Sequence, residues 1–268
     1  MSVTLFDDHE EQAPIPDPAV RVRLVVGYLG AGFHGFAFNP GVRTVAGALS
    51  DALEKVLRHR VRLTCAGRTD AGVHAWGQVV SFDARDDVDL VTVQRAVNHL
   101  LAPAIAVREA SVEDDGFDAR HSAVARRYRY TIVNRPVLDP FRASTAWHVP
   151  EPLDLAALRL GCDPLLGEHD FSSFCRKPRL PEGVSFTMTR RVLDARWHDL
   201  GEGVLRFDIE ATAFCQQMVR SIVGLLVEVG NGKRRAGEVR GIIAARTRSK
   251  AASPAPPHGL VLWEVVYG

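Results

Sequence analysis

Apolar and polar positions switch between a period of two and a helical period along most of the chain. Residues 21–28 read as a first strand that runs into a glycine-rich turn around Gly30 to Gly35. Beyond it, Val45, Ala48, Leu49, Ala52, Val56 and Leu57 fall on one helical stripe, with Thr44 placed to cap it. Asp51 with Lys55 and Glu54 with Arg58 are then i,i+4 pairs on its wet side. Residues 79–82 predict a strand, 90–101 a helix and 104–112 a strand. The rhythm then repeats. Residues 126–134 predict a strand, and 153–166 a broadly helical stretch whose end Pro164 limits. Residues 187–197 and 204–213 predict strands, the second setting Leu205, Phe207, Ile209 and Ala211 against Arg206, Asp208, Glu210 and Thr212. From Met218, the stripe of Val219, Ile222, Val223, Leu226 and Val229 predicts a helix that stops before Gly230-Asn231-Gly232. Residues 260–267 close the chain as a strand.

Two similar α+β halves with mainly antiparallel sheets are the economical architecture, and a cleft between them is where a site is expected. The division expected is a tail over residues 1–19, a first half over 20–118 and a second over 119–268. Asp7, Asp8, Glu10 and Glu11 make the tail acidic, solvated and mobile on this reading. It has neither the basic start nor the apolar core of a signal peptide. The densest apolar run, 222–229, is short and already broken by Glu228, so no bilayer-spanning segment is predicted and a cytoplasmic address is expected. Cys65, Cys162, Cys175 and Cys215 form no C-x-x-C pair, which points to buried reduced thiols rather than zinc.

A net charge of +1 excludes a globally basic nucleic-acid binder, but the charge is clustered. Arg120, Arg126, Arg127, Arg129, Arg135 and Arg142 share a span whose only acid is Asp139. A second run, Lys233, Arg234, Arg235, Arg240, Arg246, Arg248 and Lys250, faces Glu238 alone. Each cluster is either a solvated face or a surface that grips phosphates.

The segment Gly67-Arg68-Thr69-Asp70-Ala71-Gly72-Val73-His74-Ala75 carries the most chemistry. It places Asp70 in a loop before a strand, where a scaffold presents reactive side chains. Arg68, two residues earlier, is close enough to keep that carboxylate ionised. On local chemistry alone, T-D-A-G equally suits an aspartate that caps a turn.

That nine-residue segment, continued by Gly77-Gln78-Val79, closely resembles the signature of the TruA family of pseudouridine synthases. The likeness extends along most of the chain. Gly27-Tyr28 with Phe33, Gly35 and Arg43-Thr44-Val45 is similar to the family's opening block. Arg126-Arg127-Tyr128-Arg129-Tyr130, His169-Asp170-Phe171-Ser172-Ser173-Phe174, Phe214 with Met218-Val219-Arg220, and Pro256-Pro257-His258-Gly259-Leu260 match later blocks. Leu29 and Phe36-Ala37 depart from it, where the family often has aspartate and tryptophan-glutamine.

The resemblance implies a pseudouridine synthase fold, with RRM-like or ferredoxin-like halves around a central cleft. It implies that Asp70 is the catalytic carboxylate, with Tyr128 stacking on the displaced uracil and moving the C5 proton. Arg220 becomes the partner of Asp70, Arg68 a holder of opened RNA, and Leu260 a contact for the uracil edge. Period-two alternation separately puts Tyr128, Tyr130 and Ile132 on one face and Arg127, Arg129 and Thr131 on the other. Tyr130 is then expected as a core aromatic. Leu260 is equally well explained as an ordinary core leucine. His74 and His34 are better read as structural histidines than as RNA contacts.

Isomerising uridine oxidises nothing and spends no phosphate, so no cofactor or metal is required, and the chain offers no GxxxxGK[ST] loop. The hard step leaves positive charge on the sugar, which suits an ionised carboxylate acting as nucleophile or assisting elimination. The family implies the tRNA anticodon arm, positions 38 to 40, as substrate, and a homodimer. Two rivals remain open: a non-catalytic RNA-binding protein, and an RNA glycosidase that releases uracil.

Overall fold

The computed structural model describes residues 17–177 and 186–268. The tail expected over 1–19 lies outside these residues except for its last three, and Ala19 already belongs to the first strand. In chain order the elements are β1 (Ala19–Tyr28), α1 (Val45–Leu57), β2 (Thr64–Cys65), β3 (His74–Arg85), α2 (Leu90–Leu101), β4 (Ile105–Glu113) and β5 (Ala123–Val133). Then follow β6 (Trp147–His148), α3 (Leu155–Leu160), β7 (Gly167–Asp170), β8 (Thr189–Asp199), β9 (Val204–Ala211), α4 (Met218–Gly230), α5 (Glu238–Ala245) and β10 (Leu260–Tyr267).

All ten strands belong to one sheet, ordered β4-β1-β3-β10-β5-β9-β8-β7, with β2 on β3 and β6 on β5. The pairings are antiparallel except β10 with β3 and β5 with β6. The mixed, mainly antiparallel α+β class is therefore as expected. The last strand of the chain is the one that joins the early strands to the later ones.

Local chemistry explains most element ends. Thr44 Oγ1 accepts a hydrogen bond from Gly47 N at 3.2 Å and starts α1, and Asp89 caps α2 by accepting from Val91 N and Thr92 N. Arg58, in the left-handed conformation, ends α1 by donating its N–H to Glu54 O. The expected Glu54–Arg58 pair does not form, because the Glu54 carboxylate turns to Arg60 at 3.3 Å and to Val61 N at 3.1 Å.

Three expectations need correction. The strand expected over 79–82 begins at His74, because small and polar residues there are buried by close neighbours. A β-carbon on Gly77 would lie 2.4 Å from Trp263 O. The helix expected over 153–166 is only Leu155–Leu160, followed by a 3₁₀ turn over Asp163–Leu165 with Pro164 in its first positions. The basic run near residue 240 conceals α5, whose Val239, Ile242 and Ile243 are buried.

α4 is the most enclosed helix described, with eleven of its thirteen residues buried. Gly224 lets the segment before β10 lie directly on it, since a β-carbon there would sit 2.1 Å from Ser253 O. Gly224→Ala should therefore force backbone apart and cost about 1–3 kcal/mol, the usual range for overpacking. A drop of several degrees in Tm by calorimetry is the expected result, and an unchanged Tm would contradict this packing.

Candidate active site

The parallel contact between β3 and β10 pairs Val261 with His74 and Leu262 with Ala75. Parallel strands start at the same end, so the loop before β3 (66–73) and the segment before β10 (253–259) arrive side by side. β5 lies antiparallel on the other flank of β10, with Tyr128 opposite Leu262 and Tyr130 opposite Leu260.

Asp70 stands in the first of these loops and meets Arg220 of α4, with Oδ2 3.5 Å from Nη1. Their side chains are 23% and 15% exposed, enough to be reached from solvent yet partly shielded from it. Arg220 is fixed before any ligand arrives. Its Nε donates to Ala255 O at 2.7 Å, and its own carbonyl accepts from Ala255 N at 2.9 Å.

The Asp70 loop is tied down from several sides. Arg126 donates to Ala66 O through Nε at 3.3 Å and Nη2 at 2.9 Å. Gln78 Nε2 donates to Gly67 O at 2.7 Å, and the Tyr28 and Thr69 hydroxyls bond at 2.8 Å. Phe36 N donates to Thr69 O at 3.1 Å, beside Gly35, whose φ of +94° and close approach to the same carbonyl need a glycine. Val73 N closes the turn on Asp70 O at 3.1 Å. Such a turn is what a capping aspartate would also make, but here the carboxylate itself is turned to Arg220.

Tyr128 is buried, and its ring meets Phe214 edge-on at 5.0 Å. Burial pushes its phenol above the ordinary tyrosine range, and the nearby Asp70 charge pushes the same way. The hydroxyl is therefore protonated at neutral pH. Tyr130 is fully buried and donates to Pro256 O at 2.8 Å, over Gly259, so it is a core aromatic as expected. Leu260 is buried, and Arg68 is exposed two residues before Asp70. His34 is exposed and His74 buried.

The fold thus brings Asp70, Arg220 and Tyr128 together. Sequence reasoning did not single out Arg126, Tyr28 or Gln78 as supports for the loop. The only signal was that Tyr28, Gln78 and Arg126 lie in blocks of the family pattern. Among the described residues, no group of three or more His, Cys, Asp or Glu is placed to hold a metal ion, and no helix is long and apolar enough to cross a membrane.

The arginines of the first basic cluster are largely engaged within the fold. Arg126 donates to the carbonyls of Ala66, Arg120, Ala123 and Thr212. Arg127 lies between Glu210 and Glu264, 2.8 Å from each. Arg129 lies 3.7 Å over the Trp263 ring and 3.8 Å from Asp208. Arg135 and Arg142 share Asp139, at 3.1 Å and 3.4 Å. The second run differs. Arg246 and Arg248, with Arg176 and Lys177 from the segment before it in space, line an open pocket of about 620 Å³ beside Gln217. Asp170 pairs with Arg246 at 3.5 Å, and Arg248 donates to the Gln217 side chain. The expectation of four thiols is also corrected: Cys175 and Cys215 are disulfide-bonded, while Cys65 and Cys162 are free.

The chain is similar to proteins of one known class. The family model for tRNA pseudouridine synthases matches residues 24–122 and 162–268. A tRNA pseudouridine synthase A of Frankia casuarinae is 43% identical over 94% of this chain and 90% of its own. Proteins of the same name from Leifsonia xyli and Brevibacillus brevis are 42% and 40% identical, covering 94% and 92% of this chain and 93% and 99% of theirs. The chain belongs to the tRNA pseudouridine synthase family and is an isomerase that converts uridine to pseudouridine in tRNA.

Proposed function

We propose that Asp70, Arg220 and Tyr128 carry out this isomerisation, on uridines 38 to 40 of the tRNA anticodon arm. The observation that carries the reading is the part-buried pairing of Asp70 with Arg220, a guanidinium already held by Ala255. A negatively charged group at that point suits the positive charge that develops on the sugar. The N1–C1′ bond breaks and its electron pair leaves with the uracil. Asp70 either bonds to C1′ or removes a sugar proton in an elimination. The detached base turns and C5 bonds to C1′ as the Asp70 carboxylate leaves C1′ or the sugar takes its proton back; C5 then loses its proton and N1 gains one, so the product is an isomer of the substrate.

Tyr128 supplies a ring face for the turning base and a hydroxyl for the last proton step. Because that hydroxyl rests protonated, it must pass its own proton on as it accepts the one from C5. The target base must first leave its stack, at a cost of a few kcal/mol. Exposed Arg68 holds the opened strand, and Leu260 closes the floor beside Tyr130. The reading further includes a homodimer and a cytoplasmic protein, as in the family, with the chain divided near residue 118 into two halves around the site.

Phosphate contact falls to the pocket of Arg176, Lys177, Arg246 and Arg248. It opens beside Gln217, one helical turn before Arg220 on the same polypeptide run, so RNA on it continues toward Asp70.

Asp70→Asn preserves size and removes charge. It should lower turnover by several orders of magnitude, as loss of a nucleophile does, while tRNA binding and Tm stay near wild type. Residual turnover above about one per cent would end the assignment. Tyr128→Phe keeps the ring and should slow the reaction about 10²-fold if the hydroxyl moves the proton. Unchanged turnover would leave Tyr128 with stacking alone. In a salt series, removing Arg246 or Arg248 should weaken all tRNA substrates alike and reduce the log–log slope by roughly one. Arg127→Ala is the control and should leave the slope as it was. The opposite pattern would move the phosphate surface to the other face.

A further inference from the structure

We propose that His74 is a positioning residue for this reaction, its neutral imidazole tying together three separate segments, two of which wall the Asp70 loop. The inference rests on the reading that this loop is the reactive one. His74 is the first residue of β3, four residues after Asp70, and only 3% exposed, so it does not contact RNA. Its Nδ1 lies 2.9 Å from Gly30 N. A backbone amide can only donate, so Nδ1 accepts and the ring proton sits on Nε2. Nε2 lies 3.2 Å from Ser144 O and 3.1 Å from His258 O, both acceptors, and its single N–H is shared between them.

One ring therefore joins the loop after β1, the loop before β6 and the segment before β10. Two of these bear directly on the site. A β-carbon on Gly30 would lie 2.2 Å from Val73 O, and the same loop carries Gly35 and Phe36 against Thr69 O. The segment holding His258 carries Ala255, which fixes Arg220, and Pro257, which a β-carbon on Gly72 would approach to 2.9 Å. The third, at Ser144, sits on a turn drawn in by Asp139, which accepts from Phe141 N at 3.0 Å and pairs with Arg135 and Arg142.

Only the neutral ring fits this arrangement, since a protonated one would aim an N–H at the Gly30 N–H. Burial lowers the affinity of His74 for a second proton, against the opposing pull of the two carbonyls. Losing the clamp should let the loops drift while leaving the reacting groups intact. A displacement on the order of 1 Å at a reacting group can cost about 10²-fold in rate.

The test uses the full chain with tRNA, measuring single-turnover rate, tRNA Kd and hydrogen exchange over residues 29–35 and 142–146. His74→Leu removes both arms of the clamp. It should slow the chemical step about 10²-fold, leave Kd near wild type, and raise exchange in both loops. His74→Asn keeps an acceptor near the Nδ1 position and His74→Gln a donor near the Nε2 position. Each should recover part of the rate, with protection restored only in the segment it still reaches. A folded His74→Leu with the wild-type rate would overturn the proposal. If His74→Leu does not fold, wild-type rates in both amide variants would overturn it equally. Asp70→Asn run in parallel separates the two levels. An active Asp70→Asn defeats the underlying site, whereas an inactive one beside fully active His74 variants defeats the clamp alone.

Discussion

The site depends on a short parallel contact, two residue pairs long, between the strand that begins at His74 and the last strand of the chain. It sets the loop bearing Asp70 beside the segment bearing Ala255 to Gly259. With it, both enter the sheet at the same end, and the neighbouring antiparallel strand sets Tyr128 and Tyr130 opposite Leu262 and Leu260. Tyr130 then grips Pro256 O, Ala255 grips Arg220, and Arg220 reaches Asp70. The reactive pair is the last link of a chain of side-chain contacts anchored on backbone carbonyls. Its geometry is accordingly set by side chains that the sheet and the Ala255 segment hold in place.

The arginines divide by the partners they find. Arg126 is spent on carbonyls and works as scaffold behind the Asp70 loop. Arg127 and Arg129 are neutralised by acids from neighbouring strands. Arg220 faces one carboxylate in partial shelter from water, where a charge pair is stronger than at the surface. Arg246, paired with Asp170, and Arg248, bonded to Gln217, line an open pocket beside two further cations. A chain of net charge +1 can thus bind a polyanion locally without being basic overall.

Regular elements with strong periodicity were legible before any coordinates. The helix over Leu90–Leu101 and the strand over Leu260–Tyr267 have the bounds expected, and Thr44 caps the helix it was expected to cap. The two-residue strands at Thr64 and Trp147 are too short to leave a period, and α5 was hidden beneath the charge that surrounds it. The family pattern drew attention to Asp70, Arg220 and Tyr128, and the fold places them together. The partners of the first arginine cluster were hidden for a physical reason. Its acidic partners, Asp208, Glu210 and Glu264, lie on strands that become neighbours only in the sheet. The pairing of Cys175 with Cys215, forty residues apart, was equally invisible to spacing.

Isomerisation with retention of the base is the central claim, and tRNA carrying tritium at C5 of uridine tests it most directly. The purified protein should release one tritium to water for each pseudouridine formed, with no free uracil. Free uracil matching the tritium-labelled base lost from the RNA would make the chain a glycosidase, and binding without release of either would make it a non-catalytic RNA-binding protein.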